Sequence, residues 1–193
     1  MSWGFWRKKR VFALFLLAFI LFMFLSSNIV SKWLYPIQYE DEIRLNANKY
    51  NLDPFLIAAI VRVESNYQTK IESKKGAYGL MQLMPETSQW IVEIGQFSPS
   101  YNQKLHDPMV SIQLGSWYLK WLHKELDGNT VAVIASYNAG QGKVRQWLNN
   151  GRWDGTREHV DDIPYGETRH YIQRVLYYYN KYHKLYADDW RAR

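Results

Sequence analysis

Glu64 is the residue of this sequence best placed for acid–base chemistry. Ile57, Ile60 and Val61 precede it by seven, four and three residues, a spacing that on an α-helix puts all four side chains on one face. A carboxyl on an apolar face without a cationic partner resists ionisation, so it keeps a proton near neutrality and can act as a general acid, for example to a glycosidic oxygen. A helix-end Glu that turns to solvent after Ser65 would show the same pattern, and the spacing leaves both readings open.

Three further clusters follow. Gly76 to Pro85 (GAYGLMQLMP) is apolar, punctuated by glycine and closed by a helix-starting proline. Gly79 could let the backbone approach a ligand closely, and Gln82 offers an amide donor and a carbonyl acceptor. A tight turn with Leu80, Met81 and Leu83 packed inward is the simpler account of the apolar residues. Ser136-Tyr137-Asn138-Ala139-Gly140 closes an apolar helix and reads alone as a helix end. Ile163 to Tyr171 (IPYGETRHY) puts Glu167 in the first turn of the last helix, where the dipole favours a carboxylate in any case.

Other chemistries lack their residues. Cysteine is absent, which removes thiol nucleophiles, disulfides and cysteine-ligated zinc. The five histidines, at positions 106, 123, 159, 170 and 183, show no metal-ligand spacing, and no Gly-x-Ser-x-Gly elbow occurs. No metal and no cofactor are expected. Glu72 and Glu86 lie in polar surroundings and read as solvated. Trp90, Trp117, Trp121, Trp147 and Trp153 could stack on sugars, but each is more simply a core residue.

The elements that must position these groups are helices. Asp53-Pro54 and Asp107-Pro108 each place a capping carboxylate before a first-turn proline, and Asn129-Thr130 precedes an Ala/Val/Ile run. They predict helices over roughly 54–66, 108–126 and 131–137. A further helix should follow Pro85, and a last one should run from about 167 to 184, with Ile172, Val175, Leu176 and Tyr179 on one face. Residues 40–50 read as a short helix or linker. Asp127-Gly128, Gly140-Gln141-Gly142 and Asn149-Asn150-Gly151 are breakers, and no segment demands a long strand. The expectation is a single, mostly α domain over 53–186, with 187–193 as a tail.

The chain of 193 residues carries a net charge of +6. Arg7, Lys8, Lys9 and Arg10 supply four of its 24 basic residues, and without them 20 face 18 acidic ones. The charge therefore marks targeting and not a nucleic-acid surface. Residues 11–30 are uncharged and rich in Phe, Leu, Ile and Ala, about the ~20 residues that cross a bilayer. Trp3, Trp6, Trp33 and Tyr35 flank them. The positive-inside rule predicts a cytoplasmic segment 1–10, a transmembrane signal-anchor 11–30, a juxtamembrane stretch 31–52 and a domain on the outer side. A cleaved signal peptide is the alternative, although Leu25-Ser26-Ser27-Asn28 offers no clear small-x-small site.

In this order, Glu64-Ser65, Ser73 ahead of Gly76-Ala77, Gly79-Leu80-Met81-Gln82 with Met84-Pro85, Tyr137-Asn138-Ala139-Gly140, and Glu167-Thr168-Arg169 with Tyr171 resemble the soluble lytic transglycosylase family. The resemblance implies a goose-type lysozyme-like fold and peptidoglycan glycan strands as substrate. It implies that Glu64 protonates the bond between N-acetylmuramic acid and N-acetylglucosamine, then deprotonates the muramyl 6-hydroxyl to leave a 1,6-anhydro end. One residue in both roles fits the lack of a companion acid, which a two-carboxylate glycosidase requires.

By the same resemblance Ser73, Gln82 and Tyr137 orient the sugar and its N-acetyl group, and Gly79 and Met84 belong to the same binding stretch. Tyr118 matches a groove tyrosine, with a packed aromatic as the other reading. Glu167 resembles a groove acid with Tyr171 beside it. Hydrolysis by a goose-type lysozyme and an inactive glycan-binding scaffold are the competing functions. The membrane and other cell-wall or secretion machinery are the further partners this implies.

Overall fold

The computed structural model describes residues 3–25 and 28–191. Its helices are α1 (Trp3–Leu25), α2 (Asn28–Leu34), α3 (Glu40–Tyr50), α4 (Pro54–Ser65), α5 (Pro85–Ile94), α6 (Pro108–Glu125), α7 (Thr130–Ala139), α8 (Gln141–Asn149) and α9 (Gly166–Arg191). Two short 3₁₀ turns lie at Pro99–Gln103 and Val160–Asp162. Among the described residues the only β pairing is two isolated bridges, Glu72 with Tyr78 and Tyr78 with Leu83. The chain forms two compact units, one of Met1–Pro36 with Leu185–Arg193 and one of Ile37–Lys184.

In the first unit the apolar run expected as one span over 11–30 is divided between α1 and α2. Residues 26 and 27, the middle of the Leu25–Asn28 segment weighed as a cleavage site, lie outside the described residues, as do the side chains of Trp3 and Trp6. No helix among the described residues is long and apolar enough to cross a membrane. The uncharged part of α1, residues 11–25, would span about 22 Å at ~1.5 Å per residue, short of a hydrocarbon core of about 30 Å. The expected tail is helical through Arg191. Asp189 pairs with Lys32 at 2.6 Å, and the Tyr186 hydroxyl donates to the carbonyl of Tyr35 at 2.9 Å.

The second unit is built around α4. Phe55 to Val61 are all at most 4 % exposed, so this helix is enclosed on every side and not on one stripe only. The sequence starts it where local chemistry permits. Asp53 is extended, its Oδ1 accepts from the Phe55 amide at 2.8 Å, and Pro54 occupies the first turn. Asp107 accepts from the amide of Met109 at 2.9 Å to start α6, and Asn129 accepts from that of Ala132 at 3.0 Å to start α7. These helices follow the sequence expectation to within two residues.

Two features differ from that expectation. The segment 40–50 is a helix of the compact unit, with Ile43, Asn46 and Ala47 buried and contacts to α4 and α6, so this unit begins ahead of residue 53. Helix α8 forms where Gly140-Gln141-Gly142 reads as a breaker. Gly140, at φ 86, separates it from α7, and Val144 and Trp147, one turn apart, are its only buried residues. A short polar helix with two buried residues leaves little periodic signal in the sequence.

Helix α9 lies antiparallel along α4, as its hydrogen bonds show. Tyr171 meets Glu64 near the C-terminus of α4. Tyr182 meets Tyr67 beyond it at 3.3 Å. Tyr179 and His183 both reach Asp53 Oδ2, at 2.9 and 2.7 Å, at the N-terminus. Asp53 therefore caps α4 with one oxygen and holds α9 with the other. Asp107→Ala, which removes a cap alone, should cost about 1 kcal/mol. Asp53→Ala should cost two to three times that, about 2–3 kcal/mol, because it also strands two donors. Urea denaturation compares them, and equal losses would mean the α9 contacts contribute nothing to stability.

Candidate active site

Glu64 occupies the last turn of α4, where the helix is stopped by Asn66 and Tyr67 in the left-handed region, at φ 52 and 63. The Tyr67 ring is buried and its hydroxyl donates to the Ala58 carbonyl at 3.2 Å, which turns the chain back under the helix end. Glu64 does not turn out to solvent after Ser65. Its Oε1 accepts a 2.7 Å hydrogen bond from the Tyr171 hydroxyl, which leaves Oε2 to carry a proton.

Glu64 as a whole is half-buried, but its carboxyl end is withdrawn from solvent, and the protein around it sets its acidity. Loss of solvation raises its pKa from 4.5 to about 7, against the lowering effects of the Tyr171 hydrogen bond and the Arg174 charge, with a small further rise from Glu167. The sequence expectation of a carboxyl without a cationic neighbour is thus corrected. Arg174 is near, with its guanidinium donating to the Val63 carbonyl at 3.4 Å, yet desolvation outweighs it.

Three tyrosines come together with Glu64. Burial, followed by the negative charge of Glu64, pushes both Tyr137 and Tyr171 well above the ordinary phenol range. Burial takes Tyr118 to about 12. All three therefore remain neutral donors at any working pH. The rings of Tyr118 and Tyr137 are 5.6 Å apart. Tyr118 also stacks with Trp121 at 6.0 Å, so it is a packed aromatic and a neighbour of the site at once. Half-buried Trp90, Trp117 and Trp121 form a cluster with it, while Trp147 and Trp153 are core residues, 4 % and 1 % exposed.

The loop between α4 and α5 supplies the next wall. Tyr137 donates to the Met81 carbonyl at 2.9 Å, which ties α7 to this loop beside Gln82. Gln82 has a left-handed backbone, φ 46, and its amide nitrogen donates to the carbonyls of Gly79 at 2.9 Å and Ile71 at 3.2 Å. Its donor braces the loop. Ser73 Oγ accepts from the Ala77 amide at 2.9 Å within the adjoining turn. Gly79, at φ 75, is buried, and a Cβ there would collide with the Leu105 carbonyl and press on Ser111. Its close backbone approach is thus to the protein's own chain. Half-buried Met84 precedes α5 as its N-cap.

Glu167 is exposed at the start of α9 and pairs with Lys75 of the loop at 3.3 Å. Thr168, buried next to it, donates to Asn138 Oδ1 at 2.9 Å, which joins the cluster ending α7 to the cluster opening α9. Glu72 and Glu86 are both exposed. Three histidines have structural partners: His106 on the Thr69 carbonyl, His159 on Asp154 and His183 on Asp53. Arg174 escaped the sequence reading. Its one signal is its place three residues after Tyr171 on the same helix face, which means nothing until α9 is laid against α4.

The raised pKa has a consequence for stability. Between pH 4.5 and about 7 the native state binds the Glu64 proton and the unfolded state does not, so stability falls as pH rises through this window. Glu64→Gln escapes the loss. It should be more stable than wild type above pH 7, by up to about 3 kcal/mol, with the gap closing toward pH 4.5. Urea denaturation at pH 5 and pH 8 measures it, and a gap independent of pH would mean that Glu64 is not protonated near neutrality.

A sequence profile described as the Transglycosylase SLT domain matches residues 41–160. A soluble lytic murein transglycosylase of Escherichia coli is 35% identical over 159 residues, which are 80% of this chain and 24% of that protein. A membrane-bound lytic murein transglycosylase C of Edwardsiella ictaluri is 34% identical over 116 residues, 55% of this chain and 32% of that one. The crystal structure of the 70 kDa soluble lytic transglycosylase of E. coli superposes with a TM-score of 0.74 at 32% identity, covering 80% of this chain and 25% of that chain. An inactive mutant of a lytic transglycosylase from Pseudomonas aeruginosa gives 0.72 at 37%, covering 79% and 25%. The chain thus spans about a quarter of the length of the soluble relatives it matches. The profile takes in Glu64, Gln82 and Tyr137 and covers more than half of the residues: the chain belongs to the transglycosylase SLT domain family.

Proposed function

We propose that residues 37–184 cleave peptidoglycan glycan strands without water, as a lytic transglycosylase. The observation that carries this reading is Glu64, a carboxyl brought to about 7 by desolvation and held by a phenol that stays neutral. Protonated Glu64 gives its proton to the oxygen linking N-acetylmuramic acid to N-acetylglucosamine, and the C1–O bond breaks. The carboxylate left behind keeps the Tyr171 hydrogen bond. It then takes the proton of the muramyl 6-hydroxyl as that oxygen bonds to C1, which closes a 1,6-anhydro ring and returns Glu64 to its starting form.

Ser73, Gln82, Met84 and Tyr137 line the sugar in this reading, with Gly79 setting the loop that carries them. Tyr118 supports Tyr137 from behind, and Glu167 and Tyr171 form the α9 wall. The exposed position of Glu167 and its pairing with Lys75 support one acid/base and not a carboxylate pair.

The reading includes attachment to the cytoplasmic membrane, with the catalytic unit on its outer face. Support comes from Arg7 to Arg10 and from the uncharged run that continues in sequence to residue 31. Phe12 at 69 % and Phe15 at 72 % exposed are among the large apolar α1 side chains that face outward among the described residues.

Mass spectrometry of digested murein should find anhydro-muramyl ends one water lighter than hydrolytic ends, and Glu64→Gln should lower the rate by about 100-fold or more. Reducible muramic acid ends would point instead to hydrolysis, and full cellular function of Glu64→Gln to a scaffold. The full chain should sediment with membranes and resist alkaline carbonate, while Leu17→Lys with Ile20→Lys should release it. Wild-type protein extracted by carbonate would defeat the anchor.

A further inference from the structure

We infer that Arg174 is a charge-positioning residue for Glu64: its guanidinium, set on the Val63 carbonyl, supports the carboxylate that Glu64 becomes between giving up one proton and taking the next. The part played in catalysis rests on the reaction proposed above. The electrostatic part does not.

Glu167, Tyr171 and Arg174 stand at i, i+4 and i+7 on α9 and share one face. That face is turned to the end of α4 by two hydrogen bonds, from Tyr171 to Glu64 at 2.7 Å and from Arg174 to Val63 at 3.4 Å. Glu64 is the residue after Val63, so the guanidinium is anchored one peptide from the carboxyl it acts on. The same cation also acts on the Tyr171 phenol, which places it beside both members of the hydrogen-bonded pair.

The other groups facing Glu64 do not substitute for it. Tyr137 from α7 and Tyr171 from α9 are neutral phenols. Glu167 opposes a second negative charge, and Lys75 of the loop is directed to Glu167. Among the described residues, Arg174 is the cation acting on Glu64.

A residue that serves as acid and then base must exist in both forms at one pH. Desolvation favours the protonated form, and a direct ion pair would lock the carboxylate. A cation held on the adjacent backbone carbonyl, at the solvent edge, falls between these extremes. Because it is exposed, its effect is modest and screened by salt.

The test is the ionisation of Glu64 in the free full-length protein in detergent, followed by carbon-13 NMR of labelled glutamate carboxyls and assigned with Glu64→Gln. Arg174→Gln should raise the midpoint by about 0.5–1 pH unit, and Arg174→Lys should keep most of the wild-type value. In 1 M salt, where the Debye length is about 3 Å, the wild-type midpoint should rise toward that of Arg174→Gln. The high-pH limb of murein cleavage should move with the NMR midpoint. An unchanged midpoint in Arg174→Gln overturns the inference, as does an equal shift in Arg174→Lys. Wild-type protein that leaves murein intact while the midpoint still moves refutes the proposed reaction and retains the role of Arg174 toward Glu64.

Discussion

A carboxyl withdrawn from water must either keep its proton or be given a donor, and at Glu64 the fold supplies conditions for both. Burial at the end of α4 removes solvent from the Glu64 carboxyl. Tyr171, brought from more than a hundred residues away, provides the donor. The 2.7 Å bond between them depends on α9 lying antiparallel to α4 in one register, so the chemistry of one side chain is a property of a helix pair. The aromatic character of α9 follows from this arrangement, since Tyr171, Tyr179 and Tyr182 all turn their hydroxyls toward α4 or the chain leaving it.

The remaining walls are held by contacts between clusters that are far apart in sequence. Tyr137 fastens α7 to the Met81 carbonyl, and Asn138 receives Thr168. Each cluster that looks like an ordinary helix end or turn alone is one side of a joint. Polar side chains near Glu64 brace the fold in the same way, as Gln82 does by giving its amide to the carbonyls of Ile71 and Gly79.

The helix starts were legible in the sequence because capping is local. Asp53, Asp107 and Asn129 each accept from an amide two or three residues on, a relation that needs no tertiary knowledge. Glu64 was legible as a candidate for the same reason, from its spacing to Ile57, Ile60 and Val61. The second use of Asp53, the charge of Arg174 near Glu64, and the inward work of Gly79 against Leu105 were not legible, because each depends on a segment brought in from elsewhere. Helix α8 was hidden for another reason, since a glycine near its start and only two buried residues give it a weak pattern. The apolar run after Arg10 was plain in composition, but its division between two helices was not.

Asp53 and Glu64 sit at opposite ends of α4, and each holds α9. Two fasteners on parallel rods make a vernier: a slip of α9 by a single residue would unseat both together. Partial misalignment has no intermediate resting place, so a chain that has closed the joint at Asp53 has already aligned the phenol at Glu64. Assembly of the Glu64–Tyr171 pair is thereby coupled to completion of the fold, and a half-formed domain carries a carboxyl without its donor.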